Sequence, residues 1–286
     1  MGNVFSLKNW DSRIRLFLAF VFLVIGLGLL AINVYGLGQQ IRKPGLGVQD
    51  KEKLRFVPDS VWSYEKSLSA INGLSEIEER KKLVERANQI VNKSLVHIEW
   101  NKVDASEYRQ LIPIWENYYL WFIGQFSGLP QFERYHYADY QRNIERGIGI
   151  CGDASTILSS VLDEYGVENR IVSFQGHVVV EYEAEGGANL LADPDFGVLL
   201  NLPLSDLSER QNYVRSQYQS AGYSDKEINT LLSIYDKGYV YFEDTYSFMM
   251  KRYLFEYASY VAKWILPLVL VVTGLIFLRA LRRADS

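Results

Sequence analysis

The chain has 286 residues, 48% of them hydrophobic and 22% charged, and a net charge of −4 at pH 7. That balance belongs to a packed protein with one substantial domain or two small ones, and it offers no basic surplus for nucleic acid. The single cysteine, Cys151, excludes an intrachain disulfide, so any folded region must rely on its core.

The opening "MGNVFS" fits an N-myristoylation pattern, but a membrane span ten residues later makes an acyl anchor superfluous. Leu16 to Leu37 is uncharged over 22 residues. At about 1.5 Å per residue it covers the roughly 30 Å hydrocarbon layer. It is longer than a signal-peptide core and no A-x-A site follows, so it reads as a retained anchor. A second uncharged run, Trp264 to Leu278, extends back to Tyr260 with Lys263 snorkelling, and Pro267 is placed near its start. Lys8, Arg13 and Arg15 precede the first span, and Arg279, Arg282 and Arg283 follow the second. The expected arrangement is a two-pass protein of the cell (inner) membrane, with residues 1–15 and 279–286 cytoplasmic and the intervening chain periplasmic or extracellular. Arg42 and Lys43, just after the first span, count against this orientation.

Between the spans, Gln39 to Asp59 carries Pro44, Gly45, Gly47 and Pro58 and reads as part of a linker over 38–70. "GLGVQD" at Gly45 lacks the strand and the Lys-Ser/Thr ending of a phosphate loop. Ser75 and Glu78 have capping-box spacing ahead of Leu83, Val84, Ala87, Ile90 and Val91, which predicts a helix from Ser75. A second helix is predicted over Ala105 to Phe126, with Trp115, Tyr118, Tyr119, Trp121 and Phe122 assigned to core. Asn92-Lys93-Ser94 fits a glycosylation sequon.

After Cys151, the stripe Ile157, Leu158, Val161, Leu162 and Tyr165 predicts a helix that ends at Gly166. Strand-type runs follow at Arg170 to Phe174, His177 to Ala184 and Ala188 to Asp193, with Gly186-Gly187 as a hairpin turn. One helix followed by an antiparallel meander is an α+β pattern. Residues 204–259 read as a helical extension, with a capping box at Ser224 and Glu227. The aromatic segment from Tyr239 leads into the second span.

Cys151 stands at the start of its helix, where backbone N–H groups favour a thiolate. His177 opens one hairpin strand and Asp193 closes the next, so the two can meet and a helix packed on that sheet can bring Cys151 to them. Nucleophile, base and orienting carboxylate in one cluster is the arrangement of thiol acyl transfer. Other constellations are weaker. Asp193, Asp195, Glu181 and Glu183 lack a calcium-loop pattern, and one cysteine with three histidines does not suggest structural zinc. No cofactor is expected.

The stretch "GIGICGDASTILSSVLDEYGVENRIVSFQGHVVVEYEAEGGANLLADPDFG" resembles the core of the transglutaminase-like superfamily. The resemblance lies in a cysteine after a glycine-rich turn, Gly176-His177 on a strand, and Asp193-Pro194 at the end of the next strand, with spacings of 26 and 16 residues. It implies a papain-like fold, a helix packed on an antiparallel sheet over 71–203, flanked here by two transmembrane helices, and a Cys151, His177, Asp193 triad. Members include acyl transferases, proteases, amide hydrolases and inactive relatives. The expected function is an extracytoplasmic thiol hydrolase or acyl transferase acting on a protein or peptide, the alternative a non-catalytic module that scaffolds membrane-protein partners. The Cys151 N–H is expected to serve as one oxyanion donor, with Gln141, Asn143 or Trp115 as the second.

Overall fold

The computed structural model describes residues 4–47, 54–56 and 61–284. Its elements up to the Cys151 helix are α1 (Val4–Gly36), β1 (Leu54–Phe56), α2 (Tyr64–Asn72), α3 (Arg80–Ser94), β2 (Val96–Ile98), α4 (Tyr118–Phe126), α5 (Pro130–Glu133), α6 (Tyr140–Arg146), β3 (Ile148–Gly149) and α7 (Cys151–Glu164). Then come β4 (Asn169–Phe174), β5 (His177–Glu183), β6 (Asn189–Asp193), β7 (Val198–Leu200), α8 (Gln211–Ser220), α9 (Asp225–Tyr235), β8 (Tyr239–Phe242) and α10 (Thr245–Ala284). They divide into two units. One is an α+β unit of Arg42–Gln110 and Arg134–Leu254; the other is a helical unit of Met1–Ile41, Leu111–Glu133 and Phe255–Ser286.

In the α+β unit a five-stranded antiparallel sheet runs β7-β6-β5-β4-β8. The β5–β6 hairpin turns where expected, with Gly186 and Gly187 at φ 87° and 80°, a region that side-chain-bearing residues avoid. Alternation along β5 sends Val180 and Tyr182 to one face, where they meet Val84, Ile90 and Val91 of α3 and Ile157, Leu158 and Val161 of α7. Val179 faces the other way, with Val172 and Leu191, onto Val214 and Tyr218 of α8 and Ile228, Leu231 and Tyr235 of α9. A strand covered on both faces needs apolar residues on both, which accounts for the unbroken Val178-Val179-Val180. A small second sheet joins β2 antiparallel to β1 and parallel to β3.

Several sequence expectations change. Residues 204–235 are not an appendage to the domain: α8 and α9 close the sheet's second face, and β8 pairs with β4 at its edge. The 38–70 linker, of which 48–53 and 57–60 lie outside the described residues, gives way to helix by Tyr64, capped by Ser63 Oγ accepting from the Lys66 N–H. Ser75 does not cap a helix. Its hydroxyl donates back to the Asn72 carbonyl at 2.9 Å inside a 3₁₀ turn, and α3 begins at Arg80. Of Ala105 to Phe126 only Tyr118–Phe126 is helical, because Asn117 caps that helix by accepting from the Tyr119 and Leu120 N–H groups.

In the helical unit, Ser12–Gly36 and Thr245–Leu281 are long and apolar enough to cross a membrane. The side chains of Lys8, Arg282 and Arg283, and residues 1–3, lie outside the described residues. The two helices approach closely through small residues. A Cβ on Gly26 would sit 2.9 Å from the Pro267 carbonyl oxygen, and one on Gly274 3.0 Å from that of Ala19. Pro267 is not near a helix start, since α10 begins at Thr245 and is interrupted only at Met249. An interior proline removes the N–H that would bond the carbonyl four residues back, here Lys263. That carbonyl instead accepts from Asn33 Nδ2 at 2.6 Å and from the Tyr118 hydroxyl at 3.0 Å. A carbonyl left without a donor among apolar side chains is costly, so α1 and α4 supply what the proline withholds.

Asn33→Ala should therefore destabilise the protein by about 1 kcal/mol, and by less in a Pro267→Ala background where the helical N–H returns. A double-mutant cycle of unfolding in mixed micelles measures this; equal costs in both backgrounds would contradict it.

Candidate active site

Helix α7 starts at Cys151 because Ile150 is held extended and Asp153, in the first turn, accepts the Ile150 N–H at 3.0 Å. Gly149 precedes it where a Cβ would lie 2.9 Å from both Asp153 Cβ and Leu95 Cδ1. Strand β3, parallel to β2, thus delivers a partly exposed cysteine to the helix start.

His177 is the first residue of β5 and Asp193 the last of β6. Continuing the register Val180↔Ala192 sets them diagonally on the same face. His177 Nε2 lies 2.8 Å from Asp193 Oδ2, and the two residues are 3% and 0% exposed. Cys151 lies near enough to the ring to act on its pKa, while Nε2 is committed to Asp193. Burial alone would lower the His177 pKa; the Asp193 carboxylate, with a smaller contribution from Cys151, outweighs it and holds the pKa well above the ordinary 6.5.

Asp193 is satisfied from three further directions. The Tyr218 hydroxyl donates to Oδ2 at 2.6 Å, the Tyr235 hydroxyl lies 3.3 Å from the same oxygen, and the Phe196 N–H reaches Oδ1 at 3.3 Å. The two hydroxyls are 2.7 Å apart. Burial first, and then the Asp193 charge, push both phenols well above their ordinary range, so they remain protonated donors. Phe196 packs its ring edge-on to His177. Tyr218 and Tyr235 come from helices outside the 50-residue motif. Each stands on an apolar helical stripe, so the sequence marks it as core but not as a carboxylate's partner.

The other two histidines also meet aspartates. His136 Nδ1 is 2.9 Å from both Asp153 oxygens and stacks on Trp100. Burial would raise the Asp153 pKa, but His136, then Arg146 and the Ile150 N–H, hold the carboxyl below its usual range. His97, register partner of Gly149, places Nδ1 2.7 Å from Asp195 Oδ1. Each aspartate lies two residues beyond a triad member, and that spacing is the only sequence signal for either pair.

The expected second oxyanion donors are placed elsewhere. Asn143 is buried, with Nδ2 donating to the Tyr137 carbonyl and Oδ1 accepting from Arg146. Gln141 is exposed on α6, its amide near the Tyr140 hydroxyl. Trp115 belongs to the helical unit, its carbonyl against Gly36. The four carboxylates weighed for calcium each face a basic side chain: Asp193 on His177, Asp195 on His97, Glu181 on Arg170 and Glu183 on Arg80. Among the described residues no three His, Cys, Asp or Glu side chains gather to hold a metal. Asn92 of the sequon donates to the Asp195 carbonyl from within α3, and Ser94 is buried. Comparison with protein-family models, curated proteins and solved structures finds no match.

Tyr218→Phe should cost about 2 kcal/mol, the scale of a buried hydrogen bond to a charged group, and Tyr235→Phe less, since its hydroxyl is farther from the carboxylate. Denaturant titration of the two variants ranks them; the reverse order would contradict this geometry. A raised His177 pKa means that folding binds a proton. That stabilisation is complete below pH 6.5 and is lost as pH climbs through the raised value. The stability advantage of the native chain over His177→Gln should accordingly shrink as pH rises from 6.5, and an advantage that grows with pH would contradict it.

Proposed function

We propose that the protein is a membrane-anchored, extracytoplasmic thiol hydrolase or acyl transferase of transglutaminase-like type, acting on an amide of a protein or peptide. The observation that carries this reading is the buried His177–Asp193 pair, with the partly exposed Cys151 near enough to the imidazole to act on its pKa. A blocked thiol would favour a scaffolding module instead; the exposure of Cys151 supports the enzyme.

In the proposed reaction His177 takes the Cys151 proton and the sulfur adds to the substrate carbonyl carbon. The developing oxyanion is met by the Cys151 N–H, one of the helix-start groups that have no intrahelical acceptor. The imidazolium, favoured by Asp193, gives its proton to the amide nitrogen as the C–N bond breaks, and a thioester remains. Water, deprotonated by His177, then attacks the thioester, releasing a carboxylate and restoring the thiol. An amine in place of water would give transamidation. Hydrolysis is favoured because water is abundant and no amine pocket is defined.

The orientation follows from basic tails at both outer ends of the spans. The two cations that counted against it have other work within the α+β unit. Arg42 donates to the carbonyls of Trp62, Ile144 and Glu145, and Lys43 pairs with Glu107 at 2.5 Å.

Cys151→Ala should leave thermal unfolding unchanged and abolish alkylation by iodoacetamide. His177→Ala should slow alkylation at pH 7 on the order of tenfold, the factor between an ionised thiol and one that is a few per cent thiolate. Mass spectrometry of the chain after incubation with peptides, with and without a fluorescent primary amine, detects the acyl-enzyme and separates hydrolysis from transfer. A native thiol as inert as one in an unfolded peptide would rule out this mechanism.

A further inference from the structure

Helix α4 is inverted relative to a water-facing surface helix. It buries Tyr118, Leu120 and Gly124 and turns Phe122 and Phe126 outward, 59% and 64% exposed. The turn that follows adds Leu129 at 44%. From Asn117 to Phe132 the chain carries no charge over 16 residues. A solvated helix would place polar side chains on its outer face, whereas here Gln125 is the only polar residue of α4 turned outward.

The segment is fastened to the second apolar helix at a defined level. Asn117 Nδ2 donates to Ser259 Oγ at 2.9 Å, the Tyr118 hydroxyl reaches the Lys263 carbonyl, and Lys263 Nζ reaches the Glu116 carbonyl at 2.5 Å. The Tyr260 hydroxyl donates to Glu116 Oε1 at 2.6 Å, and Phe132 packs edge-on to Phe255. Within the segment Gly124 lies so close to the Phe132 carbonyl that a Cβ would clash at 2.5 Å, which closes α4 and α5 into a hairpin. The attachment spans Phe255 to Lys263, about 12 Å of helix. Lys263 stands immediately before the uncharged run that begins at Trp264. The hairpin is therefore attached beside the end of the hydrocarbon-crossing stretch, at the level of the lipid headgroups. Tyr257, 71% exposed, lies on the same stretch of α10, as aromatic side chains do at a bilayer surface.

We infer that residues 117–132 form a third membrane contact, an aromatic hairpin whose outer face, Phe122, Phe126 and Leu129, lies in the lipid interface beside the two spans. The occupant of this face is the bilayer itself, because the hairpin is tied to α10 beside the start of its uncharged run and the face bears no charge to meet a polar partner. The inference rests on the two long helices spanning the membrane. It adds that the hairpin between the spans is immersed, so the protein holds the bilayer along a surface as well as through two rods.

The full chain in lipid nanodiscs tests it, with Cys151→Ala removing the native thiol. Nitroxides are attached through Phe122→Cys, Phe126→Cys or Leu129→Cys, with Glu209→Cys as an exposed control and Val269→Cys as a control within the span. Power-saturation spectroscopy compares collisions with oxygen, which concentrates in lipid, and with a water-soluble nickel chelate. The hairpin labels should show an oxygen-to-nickel ratio several-fold above that at 209. A ratio equal to that at 209, or labels shielded from both reagents and immobilised by a covering protein, would overturn the inference. If the label at 269 also favours nickel, the spanning assignment itself fails. Quenching of Trp121 by lipids brominated near the headgroup, read as the difference between the native chain and Trp121→Phe, tests the same point without altering the exposed face. Absence of quenching there would also overturn it.

Discussion

The Asp193 carboxylate is the constraint around which the α+β unit is organised. It is removed from water completely, and an uncompensated buried charge costs several kcal/mol. Compensation comes from His177 on the neighbouring strand, two phenols from α8 and α9, and a backbone N–H from the turn that follows. The phenols can reach the carboxylate only if those helices lie across the sheet, so the second apolar layer and the polar cluster require each other. The same carboxylate decides the competition at His177. Burial would keep the imidazole neutral, but the adjacent charge outweighs it and favours the cation.

Around Cys151 the arrangement is one of histidine–aspartate pairs. Asp153 is doubly occupied, by the Ile150 N–H that it caps and by His136, and so fixes the first turn of the helix on which the thiol stands. His97 and Asp195 form a buried pair next to β3. His177 is the histidine that couples to the thiol: Cys151 acts on its pKa, and its Nε2 is held by a carboxylate inaccessible to water. Orientation by a fixed second partner is what makes an imidazole useful as a proton carrier rather than merely charged.

The helical unit follows a related rule. Pro267 leaves a carbonyl without its helical donor, and Asn33 and Tyr118 supply replacements from two other segments. Apolar packing through Gly26 and Gly274 holds the rods together, while these few polar contacts set their register. The α4–α5 hairpin is attached by neighbouring polar contacts, Asn117 with Ser259 and Lys263 with the Glu116 carbonyl, which hold it at one level of α10.

The local features were legible because short-range chemistry dictates them. The uncharged runs announced two long helices, Gly186-Gly187 announced the hairpin, and the apolar stripe after Cys151 announced α7. That His177 and Asp193 could meet was also readable from their places on adjacent hairpin strands. The failures were of two kinds. Ser75 and the Ala105–Phe126 stretch carried valid helix signals that nearby hydrogen bonds overrode, through Ser75 turning back to Asn72 and Asn117 starting its own helix. Tyr218, Tyr235, His97, His136 and the Lys263 carbonyl required knowledge of which distant segment lies opposite. A sequence states what each residue can donate, accept or bury. Only the tertiary structure decides which groups meet, because hydrogen bonds and desolvation act over a few ångströms of space and take no account of separation along the chain.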